Sequence, residues 1–339
     1  MAAPRNRQVT LAARPVGEPD ESHFELVEGE IPEAGEGEAL VRTLWLSLDP
    51  YMRGRMNEGR SYARAVELGE VMTAQAVGEV VESRSPRVQA GDVVLGPFGW
   101  QEYATAPAHQ LRRIEPRGAP ISTALHILGM TGLTAYFGLF EVARPLPGDT
   151  VVVSSASGAV GQIVGQLAKI AGCRAVGIAG SPEKVDDLRS LYGYDAAVDY
   201  RNEDLGAALK RECPDGVDVY FDNVGGEVSA AVHRRLALHS RIAVCGQIAE
   251  YNQAPPRGGP ESVSFMIARR VRMEGFLVGD YAHLYEPALA RLGRWLADGR
   301  LRYREDVVEG IEQAPRAFLG LLRGENRGKL LVKVAEPQT

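Results

Sequence analysis

Residues Val151–Gly172 read VVVSSASGAVGQIVGQLAKIAG, and this stretch decides the fold. The apolar run at its start predicts a short strand over Thr150–Ser154. A turn of small residues follows. Ile163, Val164, Leu167 and Ile170 then recur at helical spacing and give one apolar face. Gly172 supplies the stop, and a second apolar run predicts a strand over Arg174–Ile178. Within the turn, Ala156, Gly158 and Gly161 spell A-x-G-x-x-G. A small first residue permits the tight turn, Gly158 lets backbone approach a pyrophosphate, and Gly161 lets the helix close on the strand. The helix start adds unpaired N–H groups and the positive end of a dipole. A glycine pattern alone is weak. Between a strand and an amphipathic helix it reads as a dinucleotide-binding turn.

Working outward, strands are predicted near Ala197–Asp199, at Val217–Phe221, at Arg241–Val244 and over Arg272–Val278, with helical patterns between them. Such alternation means a parallel sheet with crossover helices, so the fold class is α/β with a Rossmann-type doubly wound parallel sheet. The first third differs. EALVRTLWLSL (38–48), AVGEVVES (76–83) and GDVVLGPF (91–98) are closely spaced strand patterns bounded by Gly and Pro, which suggests a small β-rich domain. The tail holds two helical patterns, YEPALARLGRWLADG and AFLGLLRG, and a closing strand, GKLLVKV, able to pair back onto the first domain. The expected organisation is 1–124 β-rich, 125–300 dinucleotide-binding and 301–339 completing the first domain.

The end of the second strand separates the two nicotinamide dinucleotides. An NAD site places Asp or Glu there, about 20 residues past the motif, to hold the ribose 2′-OH. Here the positions are Ala179, Gly180 and Ser181, and Lys184 follows. A carboxylate would repel a 2′-phosphate and a lysine attracts it, so NADPH is expected, with Glu183 pointing outward.

Other chemistries find little support. None of the six histidines stands in H-x-x-x-H or beside a cysteine, and the three cysteines, Cys173, Cys213 and Cys245, are far apart. No metal site is expected, and Cys245 reads as a small core residue rather than a nucleophile. The net charge is −6, which argues against nucleic acid as partner. No apolar run approaches the ~20 residues of a membrane span. MAAPRNRQVT holds no apolar signal segment, and the cysteine usage fits a reducing cytoplasm.

Several longer segments are recognisable together: LSLDPYMRGRM (46–56), GMTGLTAYFGL (129–139), SASGAVG, YFDNVGGE (220–227), VCGQIAEYN (244–252) and RGENRGKLLVKV (323–334). With them the chain resembles, over essentially its full length, the zinc-independent medium-chain dehydrogenases/reductases, in the group of prostaglandin reductases, 2-alkenal (double-bond) reductases and bacterial curcumin reductases. The resemblance implies a GroES-like fold for the β-rich catalytic domain and a homodimer. It implies that Gly158, Ala159, Val160 and Gly161 hold the pyrophosphate. Lys184 and Tyr200 would contact the 2′-phosphate and adenosine ribose beside Gly180. Asn223, Cys245 and Gly246 onward to Tyr251, Phe276, Leu277, Val278 and Asn326 would line the nicotinamide half, with Thr134 nearby. Tyr251 would be the catalytic tyrosine, and Tyr51 would face the substrate. VSFMIARRVRMEGF lacks a tyrosine that mammalian prostaglandin reductases have nearby, which counts against a prostaglandin as substrate.

The expected reaction is hydride transfer from NADPH to the β-carbon of an α,β-unsaturated ketone or aldehyde, with Tyr251 stabilising the enolate. A quinone reductase of the same superfamily and a non-catalytic NADPH-binding protein are the alternatives. The loops Met56–Leu68 and Asn252–Phe265, expected to shape the substrate pocket, carry no readable code.

Overall fold

The β-branched and alternating runs of the first hundred residues form antiparallel strands. In the computed structural model, residues 5–59, 61–114, 118–253 and 263–338 are described. Strands β1 (Arg5–Leu11) and β2 (Phe24–Glu30) pair with each other. They are followed by β3 (Glu38–Ser47), the short helix α1 (Tyr51–Arg55), β4 (Ala76–Ser83), β5 (Val93–Gly96), β6 (Tyr103–Pro107) and β7 (Arg112–Arg113).

The pattern then alternates. Helix α2 (Met130–Phe137) leads to β8 (Thr150–Val153), α3 (Gly161–Ile170), β9 (Arg174–Ala179), α4 (Pro182–Ser190) and β10 (Ala196–Asp199). Next come α5 (Leu205–Glu212), β11 (Val217–Asp222), α6 (Gly226–His233), β12 (Leu236–Val244), α7 (Ser264–Arg269), β13 (Arg272–Gly275) and α8 (Tyr285–Ala297). The tail adds β14 (Glu305–Glu309), α9 (Ala314–Leu322) and β15 (Lys329–Lys333).

The chain divides into two units. One is Met1–Leu125 with Glu305–Asn326 and Leu330–Thr339; the other is His126–Arg304 with Arg327–Lys329. In the first, one sheet runs β14-β15-β3-β4-β5-β7, with β6 also on β3. The closing strand β15 pairs antiparallel with β3, Leu331 opposite Ser47. Its core includes Trp100, which stacks on Phe24 at 5.6 Å and meets the edge of Phe318 at 5.5 Å. Phe318 lies on α9, so the tail supplies part of this core.

In the second unit the strand order is β10-β9-β8-β11-β12-β13, every pair parallel. Counted from β8, this is 3-2-1-4-5-6, the Rossmann order, and the order reverses between β8 and β11. The TVVV run of β8 is buried on both faces, as a central parallel strand must be. Val151 and Val153 join the core under α2, α3 and α4, while Val152 joins the core under α5 and α6. Helices therefore cover both faces. On α3, Ile163, Val164 and Leu167 are fully buried and Ile170 half-buried. Gly172 ends the helix at φ +80°.

One strand is shorter than the sequence suggests. The expected strand Arg272–Val278 stops at Gly275. Phe276 turns its ring inward against Phe221, 6.3 Å away edge to face, and Val278 opens a 3₁₀ turn that runs to Leu284.

Candidate active site in the Rossmann unit

In open α/β sheets, ligands bind beyond the carboxyl ends of the strands, where the order reverses. That place lies beyond β8 and β11, and the A-x-G-x-x-G turn leaves β8 there. Ser155 takes φ +48°, in the left-handed region where a residue with a Cβ is strained. Its carbonyl accepts from Gly158 N–H at 3.0 Å, and Ala156 N–H bonds Ile178 O at 3.0 Å, which ties the turn to β9. A Cβ on Gly161 would stand 2.3 Å from Ser155 O and 2.7 Å from Ala156 Cα, so the helix touches the turn it springs from. A Cβ on Gly158 would stand 2.9 Å from Ser155 Oγ. Helix α3 begins at Gly161, and the first N–H groups of a helix have no intrahelical acceptor.

Two braces hold this turn from inside. The buried Tyr194 hydroxyl donates to Gly161 O at 2.6 Å, and burial pushes its ionisation far up. The His126 ring, fully buried, lies with Nε2 3.3 Å from Ala159 O. The carbonyl of Ala159 is thus aimed at the imidazole. A planar trans peptide then points Val160 N–H the opposite way. Neither residue follows a glycine-spaced pattern, so the motif does not reveal them.

Beyond β9, the chain passes Gly180 and enters α4 with Ser181 as N-cap, its hydroxyl accepting from Lys184 N–H at 3.3 Å, and Pro182 in the first turn. A Cβ on Gly180 would lie 2.8 Å from the Tyr200 ring. Tyr200 N–H donates to Ala179 O at 3.1 Å. Gly180 and Tyr200 therefore pack together just past β9 and β10, with Lys184 on the first turn of α4. Glu183 is exposed, and backbone N–H bonding at the helix start, then Ser181, holds its carboxyl below the usual range.

Beyond β11, β12 and β13 lie the other residues singled out in this unit. Asn223 N–H donates to Ser154 Oγ at 2.9 Å and its Nδ2 to Ser154 O at 2.8 Å. Cys245 and Gly246 both donate their N–H groups to Asp222 O, at 2.8 and 3.1 Å. Burial, then the Asp222 charge, pushes the Cys245 thiol up to about 12, so it is no thiolate nucleophile. The Tyr251 hydroxyl accepts from Gln247 N–H at 3.4 Å and lies 3.3 Å from where a Gly246 Cβ would be. It therefore sits over Gly246, whose Cβ position is also 3.5 Å from Asn223 O.

Phe276 is half-buried, its ring 2.5 Å from where a Gly138 Cβ would point. Leu277 is exposed and Val278 half-buried, with Val278 O accepting from Tyr285 OH at 3.0 Å. Thr134 is half-buried on α2, its hydroxyl donating to Met130 O at 2.7 Å.

Tyr51 and Asn326 belong to the first unit. Tyr51 is half-buried on α1. The Arg55 guanidinium lies 5.6 Å from its ring and 5.2 Å from the Tyr62 ring. Burial raises the Tyr51 phenol well above its ordinary value, and Asp49 adds to the rise. Of the loops expected to shape the pocket, residue 60 and residues 254–262 lie outside the described residues.

Among the described residues no group of three or more His, Cys, Asp or Glu side chains could hold a metal ion. No helix among them is long and apolar enough to cross a membrane.

Comparison with known proteins gives two family matches. Residues 7–114 match an N-terminal domain of oxidoreductase, and residues 159–294 match a domain described as zinc-binding dehydrogenase. A 2-alkenal reductase (NADP(+)-dependent) from Nicotiana tabacum is 47% identical over 338 residues, covering 97% of this chain and 98% of that protein. An NADPH-dependent curcumin reductase from Escherichia coli is 41% identical over 336 residues, covering 98% of this chain and 97% of that protein. The crystal structure of CurA from Vibrio vulnificus in complex with NADPH superposes with a TM-score of 0.94 at 42% identity, covering 98% of this chain and all of that one.

Proposed function

This chain belongs to the medium-chain dehydrogenases/reductases, in the group that includes the NADP-dependent curcumin and 2-alkenal reductases, and from that membership we propose that it reduces the C=C bond of α,β-unsaturated ketones or aldehydes with NADPH. A 2-alkenal and curcumin share one reacting unit, a carbonyl conjugated to a C=C bond. The observation that carries the cofactor choice is local. Where an NAD site keeps a carboxylate, this chain has Gly180 packed on Tyr200, and Lys184 on the helix turn that follows.

The residues fit NADPH. Gly161 and Gly158 leave no room for side chains within the turn, and in this reading the start of α3 offers its N–H groups to the pyrophosphate. In this reading Gly158, Ala159, Val160 and Gly161 hold the pyrophosphate, and Lys184 and Tyr200 hold the 2′-phosphate and the adenosine ribose. Asn223, Cys245, Gly246, Phe276, Leu277, Val278, Thr134 and Asn326 bound the nicotinamide half. NADPH supplies a hydride when bound. Tyr251 donates a hydrogen bond to the carbonyl oxygen as negative charge develops there, and Tyr51 faces the substrate. The α-carbon takes its proton from Tyr251 or from water.

In this reading the second unit is the NADPH-binding domain and the first, completed by the tail, the catalytic domain. A homodimer in the cytoplasm completes the proposal. Strand β13 is the outermost of its sheet, and Ile267 on the helix before it is 79% exposed. The free cysteines support a reducing compartment.

The test is an NADPH-consumption screen across alkenals, enones, diarylheptanoids and quinones. Turnover of conjugated carbonyls to their saturated products is expected. Turnover of quinones alone, or of nothing in a broad panel, overturns the reading.

A further inference from the structure

Asp222 is 2% exposed, at the end of β11 where the strand order reverses. Its carboxylate is surrounded by donors. Oδ1 accepts from Tyr220 OH at 2.9 Å, from Ser154 Oγ at 3.2 Å, and from Val224 and Gly225 N–H at 3.0 Å each. Oδ2 accepts from Ser229 Oγ at 2.6 Å. Removing a carboxylate from water is costly unless its lone pairs are used in this way, and a well-packed apolar residue avoids the cost altogether. A carboxylate here is therefore best explained by the geometry it imposes.

That geometry has two arms. The side chain closes the turn after β11 through the Val224 and Gly225 N–H groups. Gly225 has φ +74°, a conformation that suits glycine. Because Asp222 also fixes Ser154 Oγ, which accepts from Asn223 N–H, the orientation of Asn223 is set from both sides. The second arm is indirect: by anchoring residue 222 in this turn, the carboxylate also places its main-chain carbonyl, which takes both Cys245 and Gly246 N–H groups at the exit of β12, over which the Tyr251 hydroxyl lies.

We infer that Asp222 is a positioning residue that holds the nicotinamide half of the site in shape, through Asn223 on one side and the Cys245–Gly246 backbone on the other. It touches no reacting atom. This rests on the reading of Asn223 and Gly246 as nicotinamide contacts. The adenosine half, built on Gly180, Lys184 and Tyr200, does not depend on Asp222.

Binding of two probes separates the halves. NADPH reports both, and 2′,5′-ADP, which lacks nicotinamide, reports only the adenosine half. Both are measured by calorimetry on the wild type, Asp222→Ala and Asp222→Asn, alongside kcat and KM for an enone. Asp222→Ala should keep 2′,5′-ADP affinity within about twofold. It should lose about tenfold in NADPH affinity and in kcat, the scale of leaving buried donors unpaired. Asp222→Asn keeps one carbonyl oxygen for the turn and should show the same selective loss at smaller size.

Equal loss for the two probes, or no change in their ratio, overturns the inference, since a general loss of fold weakens both. If Asp222→Ala does not fold, Asp222→Asn decides: the NADPH to 2′,5′-ADP affinity ratio must fall, and an unchanged ratio overturns the inference. Failure of the wild type to bind NADPH at all is a different result and overturns the cofactor reading instead.

Discussion

Lys184 and Tyr251 carry the two residue-scale claims. Lys184→Ala should weaken NADPH by about 10- to 100-fold, the range of a charge-assisted hydrogen bond, and leave NADH nearly unchanged. Titrating both cofactors checks this, and equal loss for the two removes the 2′-phosphate role. Tyr251→Phe keeps the ring and removes only the hydroxyl, which lies over Gly246. Enone reduction should fall by about 10²–10³ in kcat, with NADPH affinity close to wild type. A full rate in the variant means that the tyrosine packs and does not stabilise charge. Both proposals were drawn from the sequence, Lys184 from the absent carboxylate and Tyr251 from the resemblance. Asp222, His126 and Tyr194 were not. Tyr194 and His126 each act through a hydrogen bond to a distant part of the chain, Gly161 and Ala159, and Asp222 gathers donors from its own turn together with the distant Ser154, a convergence that no local spacing encodes.

At the scale of elements, periodicity was the strong signal. β4 spans the residues expected of it, Ala76–Ser83, and α3 presents the apolar face that its spacing requires. The end of β13 was not legible, because the RMEGFLV run stays apolar after the strand stops. What stops it is tertiary, the seating of Phe276 on Phe221. The phosphate turn gives a direct check. Gly161→Ala would drive a methyl to 2.3 Å from Ser155 O. It should cost roughly 1–3 kcal/mol and abolish tight NADPH binding, measured by urea melts and by titration.

Helix α6 gives a second check. Its His233 stacks on Phe265 at 4.4 Å, and burial lowers its ionisation below the ordinary 6.5. A histidine held neutral binds fewer protons folded than unfolded. Its stabilising contribution is therefore complete above pH 6.5 and is lost as pH falls below that value. The loss can reach at most about 1.4 kcal/mol per pH unit. Between pH 7.5 and 5.5 the wild type should lose more stability in urea than His233→Phe does. Equal losses in the two proteins would show that His233 does not sense pH.

For the molecule as a whole, the tail matters as much as the middle. The Phe318 ring lies 6.3 Å from that of Phe24 and 5.5 Å from that of Trp100, residues from the first third of the chain. Phe318→Ala should cost about 3–5 kcal/mol in calorimetric unfolding, the usual cost of emptying a buried aromatic site. A change below about 1 kcal/mol would mean that the tail is not part of that core. The parallel sheet was legible because its central strands repeat the same apolar code, as in TVVV of β8 and VDVYF of β11. Its order, 3-2-1-4-5-6, was carried by the fold class that the glycine turn implied. The substrate remains the least encoded property, since shape and loop contacts set it rather than any motif.

The most direct measurement of the proposed chemistry follows a label. NADPH deuterated at its transferable position is used with a simple enone, and the product is read by NMR. Deuterium at the β-carbon of a saturated ketone, with a solvent proton at the α-carbon, is the expected result. Deuterium at the carbonyl carbon of an alcohol would contradict it.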